Sequence, residues 1–365
     1  MYKNLILPAG LLAGTIIGAG VFALPFVFER AGVLAGLLYL VVFGTLLVFV
    51  NLMYAGVIIK TEESHRFVGY VKAHLGKFAG KISIMTSIAG LLLSMVVYLV
   101  LAISFINLFA PSLPDAQKVL VFWLIAALTV FLKIGKMALL EFWVTAAIIF
   151  IILALFFLGA GGFAEKIDYL SLFNPAFVFL PYGAVLFSLS GRVAIPSIVN
   201  YFRERKENMD KLKPAIALGI FIPVVVYALF VVGVIGLSGR VSEDSVSGLI
   251  GNLPKGMLWA LGVLGFLSLW STYIMLSQEV EKSLESDLKF PKWLSVVAVL
   301  FAPILFYFSG FNNFLAIIEV AGGAFIGLEG ILIVLMWLKV FKKKSFLARL
   351  LLLIFAIGIV YALAY

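Results

Sequence analysis

The chain has 365 residues, of which 64% are apolar and only 12% charged, and its formal net charge is +9. A soluble domain carries about 25% charged residues to cover itself with a polar surface, so lipid must solvate most of this one, and the length reads as one membrane domain rather than two or three soluble ones. With no cysteine and two histidines, disulfides, thiolate metal sites, cysteine nucleophiles and histidine-rich metal sites are excluded; the basic excess fits the cytoplasmic loops of a membrane protein, with no nucleic-acid partner.

Apolar runs of about 17–25 residues, enough to cross a hydrocarbon core, recur along the chain. Eleven are read: about 5–29, 33–59, 82–109, 118–134, 137–160, 174–200, 213–237, 254–278, 293–309, 314–338 and 346–364. The first has only Lys3 ahead of it and contains Gly and Pro, so it is not a cleavable signal. Residues 65–81 are not a span. Phe67, Tyr70, Val71, Leu75 and Phe78 fall at helical spacing with Lys72, Lys77 and Lys81 elsewhere on the turn, which predicts a short amphipathic helix on the cytoplasmic interface, with His74 as a solvated interfacial side chain. The chain is thus expected to be an all-α polytopic protein of the cytoplasmic membrane.

Orientation follows from the basic residues. With the N-terminus inside and the C-terminus outside, 21 of the 27 Lys and Arg fall on inside segments and five outside, Arg192 lying within a span. Acidic residues divide much more evenly, as a rule based on lysine and arginine rather than net charge requires.

The most informative stretch is Gly14-Thr15-Ile16-Ile17-Gly18-Ala19-Gly20-Val21-Phe22-Ala23-Leu24-Pro25. Its glycines weaken a helix where lipid supplies no replacement hydrogen bonds, and irregular backbone is tolerated there only if buried in protein or lining a cavity. Close helix packing is the alternative use of small residues. A second stretch favours the break: Gly191-Arg192-Val193-Ala194-Ile195-Pro196 repeats the Gly-x-x-Ala-Leu/Ile-Pro pattern of Gly20 to Pro25. The two open the first and sixth spans, hence two blocks of five that run in opposite directions. Paired interruptions of this kind mark a transporter substrate site. One half of a broken helix offers free N–H groups, which suit a carboxylate, and the other free carbonyls, which suit an ammonium group or a small cation. The pair therefore suits a zwitterionic amino acid.

The first of these stretches resembles the first-span signature of the amino acid–polyamine–organocation transporters, and most closely the hydroxy and aromatic amino acid permeases (tryptophan/tyrosine permease-like). Ile195-Pro196-Ser197-Ile198 with Tyr201 is similar to their sixth span. The resemblance implies a five-plus-five inverted repeat of the leucine-transporter type, with helices 1 and 6 broken: one repeat over about 5–160, the second over about 174–338, and an extra helix at 346–364. It implies a substrate site at Thr15, Ile16, Gly18, Ala19 and Gly20 with Phe187, Ser188, Ser190 and Gly191. The N–H groups around Gly18, Ala19 and Gly20 would receive the carboxylate, and the carbonyls of Ile16, Phe187 and Ser188 the amine. In sodium-coupled relatives a cation lies between first-span carbonyls, here Gly14 and Ile17, and eighth-span hydroxyls, here Ser271 and Thr272; those hydroxyls otherwise bond their own helix. Many of the permeases have histidine where this chain has Arg192. The lysine that some proton-coupled relatives carry in the fifth span is replaced near Ile148 by an apolar residue, which favours sodium, whereas the nearest relatives are largely proton-coupled. Na+ and H+ both stay open as coupling ion, and no other cofactor is expected.

Intramembrane charges are costly and usually functional. Glu141 lies near the cytoplasmic end of its span, within reach of the headgroups. Arg192 lies beside the second break and needs a partner; one of Glu319 and Glu329 in the tenth span is expected to pair with it or to be the protonatable site, a structural ion pair being the alternative, and Glu329 is deep enough to form an inner gate. By depth, Ser94, Tyr98, Phe187 and Trp270 are candidates for side-chain selectivity. An enzyme is excluded by the absence of histidine or aspartate from the spans and of aspartate-rich motifs. The expected function is secondary active transport of amino acids, aromatic or otherwise neutral; an exchanger, an ion channel and a non-transporting receptor are the rivals.

Overall fold

The computed structural model describes residues 5–63, 65–129, 134–205, 207–343 and 345–364, with the side chains of 134–142 excepted; Glu141 falls among those side chains. The described residues form helices, with no strand among them. The first span is broken. Helix α1 (Leu7–Ile16) ends where Ile17 turns to ψ 97° and Gly18 is fully extended. A 3-10 turn over Ala19–Ala23 then leads into α2 (Leu24–Ala31), and the two halves are bent by 49°. Gly32, at φ +99°, makes the tight turn into α3 (Val33–Lys60). A side chain there would also collide with Leu172 and Phe173, because the segment before the sixth span docks here through Val33 N–H to Ser171 O and Asn174 N–H to Ala31 O.

Helix α4 (Phe67–Leu75) lies between the second and third spans with Phe67, Val68, Tyr70 and Val71 buried. The amphipathic helix expected over 65–81 stops here. Gly76 takes φ +94° and ends it, and residues 77–81 already belong to α5 (Lys77–Asn107), so that Phe78 is exposed on the third span. The periodicity ran through the break because Phe78 preserves it by chance. His74 is not simply solvated either: its ring hydrogen-bonds the Thr61 hydroxyl at 2.8 Å.

Next come α6 (Asp115–Thr129) and α7 (Ile134–Lys166). The sixth span is α8 (Pro181–Ser188), a 3-10 turn at Arg192–Ala194 and α9 (Ile195–Glu204). Helices α10 (Leu212–Leu237), α11 (Lys255–Asp287) and α12 (Lys292–Phe308) follow. The tenth span is α13 (Phe314–Ile318), a π-helical segment Glu319–Ile326 and α14 (Gly327–Phe341), and α15 (Phe346–Ala364) completes the chain. Among the described residues eight helical stretches, or nine with the bent first pair, are long and apolar enough to cross a membrane. The ninth expected span is a shorter helix of 17 residues, α12, and the fourth, α6, is described over 15 residues. Both occupy the fourth place in their block of five.

Like elements of the two blocks pack together: α3 against α10, and α5 against α11. Trp123 of α6 donates its indole N–H to the Leu300 carbonyl of α12 at 2.7 Å. Across α7 and α10, Gly159 and Gly162 face Gly233 and Gly236 so closely that an added Cβ would lie 1.9–2.9 Å from the opposing backbone, the small-residue packing that spans use where lipid gives no hydrophobic drive. Leu38, Leu128, Phe150, Phe157 and Val360 are exposed on the outer surface, an apolar face that only lipid can solvate. The chain is an integral membrane protein.

Candidate substrate site

The two breaks have the same construction. Gly20 is the second residue of the 3-10 turn that ends at Ala23, and Leu24-Pro25 opens α2; Gly191 immediately precedes the 3-10 turn that ends at Ala194, and Ile195-Pro196 opens α9. Proline fits the first turn of a helix because its missing N–H has no partner there anyway. The glycines have reciprocal uses. A Cβ on Gly20 would lie 2.6 Å from Ser188 Cα and 3.0 Å from the Phe187 ring, while one on Gly191 would lie 2.7 Å from the Ile16 side chain. Each motif glycine thus admits the last turn of the other span's first half, and the breaks meet face to face.

At the meeting point stands a residue that the sequence argument missed. Tyr227 of α10 is fully buried, and its hydroxyl lies 2.8 Å from Ile16 O and 3.1 Å from Ser188 O, as donor to the two carbonyls. The Gly18 amide faces the same hydroxyl. Two of the three carbonyls expected to receive an amine are therefore bridged by Tyr227 in this conformation, and the third, on Phe187, accepts from the N–H groups of Leu189 and Ser190. The available signal was a polar hydroxyl within an apolar run, Val224 to Phe230, just after Pro223; many tyrosines share that description.

Of the remaining expected substrate residues, Thr15 turns its hydroxyl back to Leu11 O at 2.8 Å, and Ser188 turns its own to Ala184 O at 2.7 Å. Gly18, Ala19 and Gly20 form the extended step and the start of the turn. Ser190 and Gly191 line a narrow crevice beside Arg192 and Glu329. Tyr98 reaches the first break, with its hydroxyl 3.0 Å from where a Gly18 Cβ would stand. Phe22, edge-on to Phe105 at 5.0 Å and to Phe230 at 5.4 Å, adds an aromatic wall to the first break. Ser94 back-bonds to Gly90 O. Trp270 does not face the site: its indole N–H is tied at 2.8 Å to Thr129 of α6. Depth alone says nothing of direction round the helix.

The residues considered for a coupling ion divide. Ser271 back-bonds to Ser268 O at 3.1 Å, whereas the Thr272 hydroxyl is buried without a partner. The helix that carries them, α11, packs mainly on α5, α7 and α12, whereas α1, with Gly14 at its end and Ile17 just beyond, packs mainly on α10. Arg192 pairs with Glu329: Nε and Nη2 donate to the two carboxylate oxygens, each at 2.7 Å, and Ser87 of α5 adds a third bond at 2.7 Å. The guanidinium also stacks 4.2 Å from the Phe67 ring of α4. A buried charge pair persists only with such full hydrogen bonding. Glu319 has no basic partner among the described residues.

The Arg192–Glu329 pair ties spans 3, 6 and 10 together beneath α4. Two further links close the same face: Arg66 to Glu279 at 2.6 Å, and Arg203 to the terminal carbonyls of α3 at Ile58 and Ile59. At the opposite end of α5 a cavity of about 360 Å³ opens, lined by Ser104, Glu243, Asp244, Asn312 and Asn313. Three links thus latch the α4 face, and the cavity lies at the other end of α5.

Solved structures share this architecture. MhsT in complex with L-phenylalanine superposes with a TM-score of 0.69 at 16% identity, covering 100% of this chain and 98% of that one. Mhp1, a nucleobase-cation-symport-1 family transporter with bromovinylhydantoin bound, gives 0.65 at 14% identity over 89% of this chain and 76% of its own. The Eremococcus coleocola manganese transporter gives 0.62 at 14% identity over 100% of this chain and 87% of its own. At these identities the likeness establishes the leucine-transporter-type fold, and no curated protein matches the chain. The family model for tryptophan/tyrosine permeases matches residues 1–364, and with the paired broken spans in place the chain belongs to the tryptophan/tyrosine permease family, whose members are transporters and not enzymes.

Proposed function

We propose that this secondary transporter carries amino acids, aromatic or otherwise neutral, across the cytoplasmic membrane by alternating access, driven by a gradient of H+ or Na+. The observation that supports this most is the reciprocal seating of the two breaks. Gly20 of the first break packs on Ser188 and Phe187, and the Gly18 amide and the carbonyls of Ile16 and Ser188 all meet the Tyr227 hydroxyl, so donors and acceptors of the kinds a zwitterion needs lie close together. Phe187, Tyr98 and Phe22 beside them offer an apolar wall to the side chain. The basic-residue count supports a cytoplasmic α4, which would make the latched face the inner one and the cavity side the outer one.

The test is uptake of labelled L-tryptophan, L-tyrosine, L-phenylalanine, L-leucine and L-serine into proteoliposomes under separate H+ and Na+ gradients. Saturable accumulation of at least one is expected. No accumulation under either gradient together with no counterflow from preloaded vesicles would exclude amino acids from the substrate class.

A further inference from the structure

The tenth span carries two glutamates in opposite situations. Glu329 is neutralised by Arg192 and Ser87. Glu319, ten residues earlier, opens the π-helical segment, a rare geometry that concentrates at functional sites. Its carboxyl presses on α8: a Cβ on Gly183 would lie 2.4 Å from Oε2, and one on Gly322 would lie 2.0 Å from the Gly183 carbonyl. The approach needs glycine at both places. The carboxyl accepts the Gly183 N–H, one of the N-terminal amides of α8 that lack a partner within the helix. Its other oxygen, Oε1, is buried with no hydrogen-bond partner, and so is the Tyr182 hydroxyl on the same turn of α8. Both side chains flank Gly323, where a Cβ would lie 3.4 Å from Oε1 and 3.4 Å from the Tyr182 ring.

A bare carboxylate with an unmatched oxygen is costly to bury, and it needs a proton or a cation. The titratable groups turned toward Glu319 are Tyr182 of α8 and Tyr39 of α3, with Tyr361 of α15 beside Tyr39. No lysine, arginine or histidine of the described residues pairs with it, from α5, α8, α13, α14 or α15. We infer that Glu319 is the proton-carrying group of the transport cycle, loaded from water on the cavity side and unloaded on the α4 side. This rests on the transporter function proposed above and assigns its coupling ion. The carboxylate binds one proton and becomes neutral; no other bond is made or broken. The Gly183 N–H supplies the linkage. It holds the anionic carboxylate more strongly than the neutral acid, so protonation loosens α8, the half-helix that ends at Phe187 and Ser188 in the substrate site. Reciprocally, any movement of α8 that withdraws the N–H favours the proton.

The experiment uses proteoliposomes loaded with a pH-sensitive dye and the best-transported amino acid of the panel above. Wild type should acidify the lumen in step with substrate entry. Glu319→Gln should lose that acidification and its accumulation above the medium concentration, while counterflow continues at a reduced rate. Should that variant fail to fold, wild-type protein can be labelled with dicyclohexylcarbodiimide, which attacks buried protonated carboxyls. Mass spectrometry should then find the adduct at Glu319, increasing as pH falls. Acidification retained by Glu319→Gln, accumulation driven by Na+ alone, or an adduct confined to Glu329 would each overturn the assignment and leave amino acid transport standing. Absence of counterflow in the wild type would remove the transport function itself.

Discussion

Gly20→Ala tests whether the two breaks form one site. The added methyl would lie 2.6 Å from Ser188 Cα, 2.7 Å from Ser188 Oγ and 3.0 Å from the Phe187 ring, against 3.4 Å for ordinary contact. The nearest of these is backbone, so it cannot swing aside, and the breaks must separate by about 0.8 Å, the difference between 2.6 and 3.4 Å. Ser188 is held by Tyr227 through the longer of its two bonds, 3.1 Å, and an outward shift of that size takes it beyond hydrogen-bond range. Overpacking costs about 1–3 kcal/mol and a lost hydrogen bond about 1 kcal/mol. Stability should therefore fall by roughly 2–4 kcal/mol. If half of this separates the substrate's contacts on the two spans, affinity falls by about fivefold to thirtyfold, at 1.4 kcal/mol per decade. The control is Gly10→Ala on α1, where a Cβ meets nothing within 4 Å and helix propensity favours alanine by up to about 1 kcal/mol. Thermal unfolding in detergent and scintillation-proximity binding of labelled L-tryptophan or L-tyrosine give the two readouts. If Gly20→Ala behaves like Gly10→Ala in both, the breaks do not make a common site.

Further outcomes follow from the same geometry. Gly18→Leu, which drives a side chain into the Tyr98 hydroxyl, should abolish substrate binding in a folded, inserted protein; full binding by that variant would remove the broken-helix argument. Arg192→Ala and Glu329→Gln should each destabilise by about 3–5 kcal/mol, because each leaves a buried polar group without its partner, and the double variant should fall well short of the sum. Additivity within about 0.5 kcal/mol in that cycle would show that the pair is not coupled. Tyr227→Phe removes the donor to Ile16 O and Ser188 O, costing about 1–3 kcal/mol in the substrate-free protein, and an ammonium group that takes those carbonyls should then raise the melting temperature more than in wild type. A smaller ligand-induced rise would place the amine elsewhere. Burial, with Lys339 and His65 nearby, lowers the proton affinity of His74 from its ordinary pKa of 6.5. Its bond to Thr61 therefore contributes fully above that value and is lost as pH falls below it. Melting scans from acid to neutral pH should show a steeper acid-side loss for wild type than for His74→Gln, and coincident curves would refute this.

The breaks were legible because a broken helix needs local chemistry, glycine at the step and proline in the following turn, and the chain supplies both twice. What sequence could not give was direction. Glu319 and Glu329 sit on one span with similar neighbours, and only packing decides that Arg192 reaches the second. Trp270 lies on the side of α11 that faces α6, which no reading of depth reveals. Gly76 could equally have continued an amphipathic helix or turned it, and the residues around it do not announce its positive φ. Tyr227 and Ser87 are single hydroxyls in apolar runs, with no pattern to mark them before the fold brings their partners to within 3.1 Å.

The ties of the sixth span explain why the tenth is built as it is. The first half, α8, is attached through Gly183 to Glu319, and the turn that opens the second half is attached through Arg192 to Glu329. Both anchors belong to one span, so any motion of one half of span 6 relative to the other must be taken up between them. The backbone there is the π-helical segment with Gly322 and Gly323 in its middle, a stretch with weaker local hydrogen-bond geometry and no side chains to obstruct a shift. Packed interfaces switch between discrete arrangements rather than deforming continuously. A latch that opens at Glu329 while Glu319 keeps its hold on α8, or the reverse, therefore needs only this segment to change register. An uninterrupted helix in its place would bind the two glutamates into one rigid body and make the halves of span 6 move together.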